Sequence, residues 1–179
     1  MSITQITIPA GTWNLDPVHS TVGFEVDYLA GTFRGQFRDT EAHLSLGEDG
    51  ARIAGAAAVA SVDVKDENLA AHLQSPDFFD AERHPTLTFV ADEIDLGGGA
   101  VTAPGEITIK GVTKPVEVTG TISDPIVDAY GNERIGLRLS AHVDRTDFGV
   151  DWNTPLPTGD PALANDVTIV AELQLVKAA

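Results

Sequence analysis

From Gly11 onward, apolar and polar positions alternate along most of the chain, a period of two that predicts half-buried β-strands. Val22, Phe24, Val26 and Tyr28 alternate with Thr21, Gly23, Glu25 and Asp27. Phe33, Gly35 and Phe37 carry the alternation on toward Leu44 and Leu46, and Trp13 with Leu15 predicts a short first strand before a turn at Asp16-Pro17. Further strands are predicted over 86–94, 100–109, 112–122, 135–144 and 166–176. Gly97-Gly98-Gly99, Lys110-Gly111 and Tyr130-Gly131-Asn132 supply turn chemistry between them. The run 53–60, IAGAAAVA, has helical composition but alternating flanks, and it reads as a strand. Its small residues leave room where a barrel bends or another chain approaches.

One stretch, 61–89, breaks the period. Val62 and Val64 close a strand, after which Asp66 is placed to cap a helix over about 66–74, with Leu69, His72 and Leu73 on one face. Pro76 ends that helix by pushing Ser75 out of the α region. Phe78 and Phe79 follow on irregular backbone, where they either plug the end of a core or line a cavity. Leu87 and Phe89 then resume the alternation after His84-Pro85. The sum is about eight strands with mostly short connections and one long crossover carrying the helix. The economical fold is all-β, an antiparallel up-and-down barrel without free edges. The interior of such a barrel is either filled by side chains or holds one small ligand. The expected organisation is an N-terminal extension over 1–10 and a single barrel domain over 11–179.

Composition narrows the function. A chain of 179 residues buries roughly 70% of its unfolded surface as one domain. It contains no cysteine, which excludes disulfides, thiolate metal sites and cysteine nucleophiles. The formal charge of −16, from 27 acidic and 11 basic residues, opposes nucleic acid and anionic membrane surfaces. The segment TFRGQFR (32–38) therefore reads as a strand with arginines outward and not as a nucleic-acid surface. The start, MSITQITIPAGTW, has no basic leader or cleavage pattern, and no run approaches the roughly 20 apolar residues of a membrane span. The expectation is a cytoplasmic protein without stable membrane insertion.

Candidate chemistry is sparse. Asp16, His19 and Ser20 have the residue types of a hydrolase triad, but neighbours on extended backbone point to opposite faces, so His19 is poorly placed to serve Ser20. His19, His43, His72, His84 and His142 show no HxH, HxxxH or HExxH spacing, and neither a metal nor another cofactor is expected. There is no GxxxxGK[ST] cradle for phosphate.

Four segments in order, DPVHSTVGFEV (16–26), SPDFFDAERHPTLTF (75–89), GEITIKGVTKPVEV (105–118) and RTDFGVDW (145–152), give the chain a collinear resemblance to the YceI-like family of lipid-binding proteins from Trp13 to Val176. The resemblance implies a lipocalin-like barrel with an elongated apolar cavity for a long-chain apolar small molecule, such as a polyisoprenoid, isoprenoid quinone or fatty-acid derivative. His72 matches the histidine of the family's HLxS motif, and the expected lining residues are Phe24, Val26, Phe37, His72, Phe78, Phe79, Phe89 and Phe148. Each would serve equally well as core packing. The chain departs from the family pattern at Leu69-Ala70, where an Arg-Asp pair is usual, at Gln74, where arginine is common, and at Asp27-Tyr28, where a histidine is usual. An anionic head group would meet repulsion here unless Arg34, Arg38 or Lys114 gathers at the cavity mouth. Two other readings stay open: an enzyme on a small apolar substrate using His72 or an aspartate, and a stress-related interaction protein with a filled barrel. The sequence also leaves a homodimer open.

Overall fold

The computed structural model, in which residues 8–179 are described, converts the alternating segments into twelve strands. They are β1 (Gly11–Leu15), β2 (Thr21–Tyr28), β3 (Gly31–Phe37), β4 (Thr40–Gly47), β5 (Gly50–Ala58), β6 (Val62–Asp63), β7 (Thr86–Ala91), β8 (Ala100–Ile109), β9 (Val112–Ile122), β10 (Ile126–Val127), β11 (Glu133–Asp144) and β12 (Leu163–Lys177). Among the described residues one α-helix, α1 (Glu67–Gln74), lies between β6 and β7.

Several of these strands are pieces of longer ones. β1 and β2 both run antiparallel to β12, which pairs Trp13 with Lys177 and Val26 with Val167. β3 and β4 continue one another beside them, as do β5 and β6, and β9 and β10 follow one edge of β11. Asp16-Pro17 interrupts the first long strand, where Asp16 Oδ1 accepts from the Val18 amide at 2.9 Å. Pro125 interrupts the β9–β10 strand, since it has no N–H to offer a ladder. Joining the pieces leaves eight strands in an antiparallel meander. The ring closes because β12 pairs on one side with β11, from Arg134↔Val176 to Asp144↔Asp166, and on the other with β1 and β2. Closure leaves no long free edge in the ring.

The hairpin at Lys110-Gly111 has positive φ at both residues, 52° and 76°, the geometry of a two-residue primed turn. β7 ends at Ala91, before the expected 94, because the chain bends into the turn at Gly97–Gly99, where Asp95 Oδ1 accepts from the Gly97 amide at 2.9 Å. α1 forms where the period changed. Asp66 caps it by accepting from the Leu69 amide at 3.0 Å, and Ser75 closes it with Oγ donating to the His72 carbonyl at 2.6 Å.

Because the meander alternates direction, its connections fall at two ends. At one end Trp13, Leu44, Ile135 and Leu175 are 0–1% exposed and plug the barrel. Ile8 packs against this plug, and Trp13 Nε1 donates to the Pro9 carbonyl at 3.1 Å. The remainder of the expected extension, 1–7, lies outside the described residues. Arg134 fastens this end, 2.7 Å from Asp16 and 2.6 Å from Asp128. At the other end Leu73, Phe78, Phe148 and Val150 form a second buried cluster beneath the two long connections, 64–85 and 145–162. No helix among the described residues is long and apolar enough to cross a membrane.

Candidate functional site

The barrel interior is not filled. Between the plug and the capping connections runs a cavity of about 380 Å³, reaching from Leu15, Ile53 and Leu173 to His72, Ile109 and Trp152. This lies within the range of small-molecule sites, about 300–1,000 Å³. The period of two builds its wall, because every second residue of each strand faces inward. Gly55 and Ala57 on β5 contribute wall without bulk, which keeps the lumen open opposite larger residues.

All eight side chains expected to line a cavity are on its wall: Phe24, Val26, Phe37, His72, Phe78, Phe79, Phe89 and Phe148. Phe24, Phe33, Phe37 and Phe79 form an aromatic cluster with ring centroids 5.8–6.1 Å apart. Phe79 reaches it because the chain after α1 turns back. The Phe79 amide donates to the Leu73 carbonyl at 3.0 Å, and Asp80 takes a left-handed conformation, φ 52°. Phe89 sits inside because Gly105 on β8 leaves space, a Cβ there falling 2.9 Å from Cε2 of the ring.

Sequence reasoning missed Tyr28, Leu87, Ile107, Arg145 and Trp152, all on the wall. The alternation of β7 and β8 was signal enough for Leu87 and Ile107. Trp152 carries no periodic signal, since it lies on irregular backbone. Its ring meets His72 edge-on at 5.0 Å and Phe78 at 5.4 Å, and His72 in turn meets Phe78 at 4.9 Å. These three rings join the two capping connections. Lys110 adds a second clasp, its Nζ donating to the Pro76 carbonyl at 2.6 Å and to the Gly149 carbonyl at 3.2 Å.

The basic groups at the wall are already occupied. Arg145 is 6% exposed, and its guanidinium donates to the carbonyls of Ala164, Val150 and Trp152 at 2.8 Å and of Leu163 at 3.4 Å. Burial pushes its pKa down from the usual arginine value, opposed by Asp144 and Asp151. His72 Nε2 stands 3.1 Å from Asp77 Oδ2. Arg34 and Arg38 do not gather at the cavity. They lie on the outward register of β3 and its end, exposed, 3.1 Å from Glu25 and 2.8 Å from Asp63 respectively. Lys114 is exposed and is not among the lining residues.

The triad reading fails on geometry. His19 Nδ1 lies 2.8 Å from Asp16 Oδ2, while Ser20 Oγ accepts from the Gln174 amide at 3.0 Å and donates to its carbonyl. Among the described residues no group of three or more His, Asp or Glu side chains is disposed to hold a metal ion.

Comparison with known proteins finds a match to the YceI-like domain over residues 13–175. A UPF0312 protein of Staphylococcus epidermidis is 29% identical over 170 residues, covering 90% of this chain and 95% of that one. A UPF0312 protein of Vibrio cholerae is 31% identical over 139 residues, covering 74% and 72%. Among solved structures, Burkholderia cenocepacia BcnA is similar at 23% identity with a TM-score of 0.76 over 92% of this chain and 99% of that one. A polyisoprenoid binding domain from Saccharophagus degradans, implicated in plant cell wall breakdown, superposes with a TM-score of 0.71 at 12% identity over 93% and 98%.

Proposed function

Because the chain belongs to the YceI-like domain family, we propose that its barrel sequesters or carries a long apolar molecule, a polyisoprenoid, isoprenoid quinone or fatty-acid derivative, with an uncharged head group. The observation that carries this reading is the cavity of about 380 Å³, whose wall is almost wholly hydrocarbon. Each methylene moved from water into such a wall contributes about 0.8 kcal/mol, so a long chain is held without catalytic or metal-binding groups.

The uncharged head follows from electrostatics. Arg145 and His72, the basic side chains on the wall, are already engaged by carbonyls and by Asp77. The chain as a whole carries −16. A diphosphate entering this field would lose hydration without gaining a counter-charge. The polyisoprenoid-binding description of the Saccharophagus degradans domain supports the apolar chain.

Titration of a prenol and of the prenyl diphosphate of equal chain length, followed by Trp152 fluorescence with Trp13→Phe as the background, tests both parts. The prenol is expected to bind tighter by a factor on the order of ten or more. Equal or tighter diphosphate binding overturns the uncharged head, and binding of neither overturns the carrier reading.

A further inference from the structure

The wall of the barrel is stitched unevenly. β11 keeps its ladder with β12 along almost its whole length, and β9 keeps its ladder with β8 from Ala100↔Thr121 to Ile109↔Val112. Between β9 and β11, however, pairing runs only from Leu137↔Ile122 to Ser140↔Thr119. The same register would carry residues 115–118 of β9 against 141–144 of β11. Both segments lie within strands, yet among the described residues none of those pairs forms.

The chain supplies a cause on each side of this fork. At Gly120 the backbone of β11 comes so near that a Cβ would overlap the Arg138 carbonyl oxygen, and the missing side chain lets the strands zip there. Pro115 acts the other way. The pair flanking the two-residue hairpin, Ile109↔Val112, exchanges hydrogen bonds, and in an antiparallel ladder that property alternates. Lys114 and Val116 therefore donate to β8, while residues 113, 115 and 117 turn their N–H toward β11. Pro115 has none to turn.

Side chains close the seam in place of hydrogen bonds. Val116 and Val118 from β9 and Ala141 and Val143 from β11 all line the cavity, the first three at 8%, 8% and 5% exposure. The capped end is held differently. Lifting the 64–85 connection breaks the Lys110–Pro76 bond and parts the His72 and Phe78 rings from Trp152, and opening the 145–162 connection breaks the Lys110–Gly149 bond and those of Arg145. Parting the seam breaks none of the β9–β11 ladder pairs and uncovers the small aliphatic side chains of Val116, Val118, Ala141 and Val143, which a passing hydrocarbon chain would itself cover. The cap is therefore the costlier door.

We propose that the β9–β11 seam between 115–118 and 141–144 is the portal through which an apolar chain passes laterally into and out of the cavity, while the cap stays shut. This rests on the apolar-ligand reading above. Strand separation would start from the exposed ends of the seam and stop at the Gly120 fork, so the barrel would stay closed as a ring during uptake.

The chain has no cysteine, so introduced thiols report cleanly. Glu117→Cys with His142→Cys places two exposed, outward thiols across the seam in register. Pro76→Cys with Asp151→Cys places one exposed thiol on each capping connection, beside the Lys110 clasp that joins Pro76 and Gly149. Each pair is bridged by a short reducible linker, and uptake and release of NBD-labelled farnesol are followed by stopped-flow fluorescence. Bridging the seam is expected to slow both rates by a factor on the order of ten or more while leaving Kd within about twofold, with reduction restoring them. Bridging the cap is expected to change neither rate more than about twofold. Pro115→Thr, which returns an N–H to the seam without any linker, is expected to slow uptake in the same sense, with circular dichroism confirming the fold. Unchanged rates in the bridged seam and in Pro115→Thr overturn the portal, as does a cap bridge that slows uptake as much as the seam bridge. No binding of the probe to the unmodified protein instead overturns the apolar-ligand reading on which the portal rests.

Discussion

Phe24 lies directly across the β2–β3 ladder from Gly35, and its ring fills the space a side chain there would occupy: a Cβ on Gly35 would fall 2.6 Å from Cζ and 2.9 Å from Cε1. The glycine is what allows the Phe24, Phe33, Phe37 and Phe79 rings to meet on one wall of the cavity. Gly35→Ala is expected to destabilise the protein by about 1–3 kcal/mol through overpacking. Phe24→Leu in the same chain should recover part of that loss. Urea denaturation of the two single variants and the double variant reads the coupling, and strictly additive effects would dissociate the two residues.

Val26 is 7% exposed and lies on the cavity wall. Val26→Trp should enter open volume, so its stability is expected to change by less than the roughly 1–3 kcal/mol of an overpacked core. Binding of a prenol should be lost. A folded Val26→Trp protein with unchanged uptake would remove this strand face from the ligand site.

Phe79 presents a half-buried aromatic face to the ligand, whereas His72 is already tied to Asp77 at 3.1 Å. Phe79→Ala is expected to weaken prenol binding about tenfold, equivalent to about 1.4 kcal/mol. His72→Ala should weaken it less. A larger loss in His72→Ala, in a protein shown to be folded, would mean that a polar head group is recognised at the histidine.

Arg145 satisfies four backbone carbonyls of the 145–164 segment from a buried position. Arg145→Met leaves those acceptors unpaired and should destabilise the protein by about 3 kcal/mol. Limited proteolysis should then cut first within 149–162. An unchanged melting temperature in Arg145→Met would show that solvent replaces the guanidinium at little cost.

Arg134 makes the acid limb of stability. Its guanidinium, followed by the His19 ring, holds the Asp16 carboxyl well below the usual carboxylate range, and it lowers Asp128 to about 2 with help from the Asn132 and Tyr130 amides. Both groups titrate lower in the folded chain than in the unfolded one. Their stabilisation is therefore complete above about pH 4 and is lost as pH falls through the folded values. Arg134→Met should flatten the decline in urea midpoint between about pH 4 and about pH 2. A slope identical to that of the unmodified protein would place the acid sensitivity elsewhere.

The sequence by itself determined the strands, since a strict period of two across Val22 to Tyr28 or Val112 to Val118 leaves one backbone conformation that buries a single face. It determined the Lys110-Gly111 turn, where only a residue tolerant of positive φ follows the lysine, and α1, where the period shifts behind the Asp66 cap. It also put Phe24, Val26, Phe37 and Phe89 on inward strand positions and His72, Phe78 and Phe79 on the segment between β6 and β7 that could cap a barrel. The tertiary structure decided what those positions face. Alternation states which side chains share a face, but pairing is a contest among all strands. Hence the closure of β12 against β11, β1 and β2 is not written in any one of them. The lumen is the volume the ring encloses less that of its inward side chains, so whether Phe24 or Phe89 fills a core or lines a cavity rests on Gly35, across the ladder from Phe24, and on Gly105, two residues from Phe89's partner Ile107. The partners of Arg34, Arg38 and Arg145, the meeting of Trp152 with His72, and the parting of β9 from β11 beyond Gly120 arise between segments far apart in the chain. Only the closed ring brings those segments together.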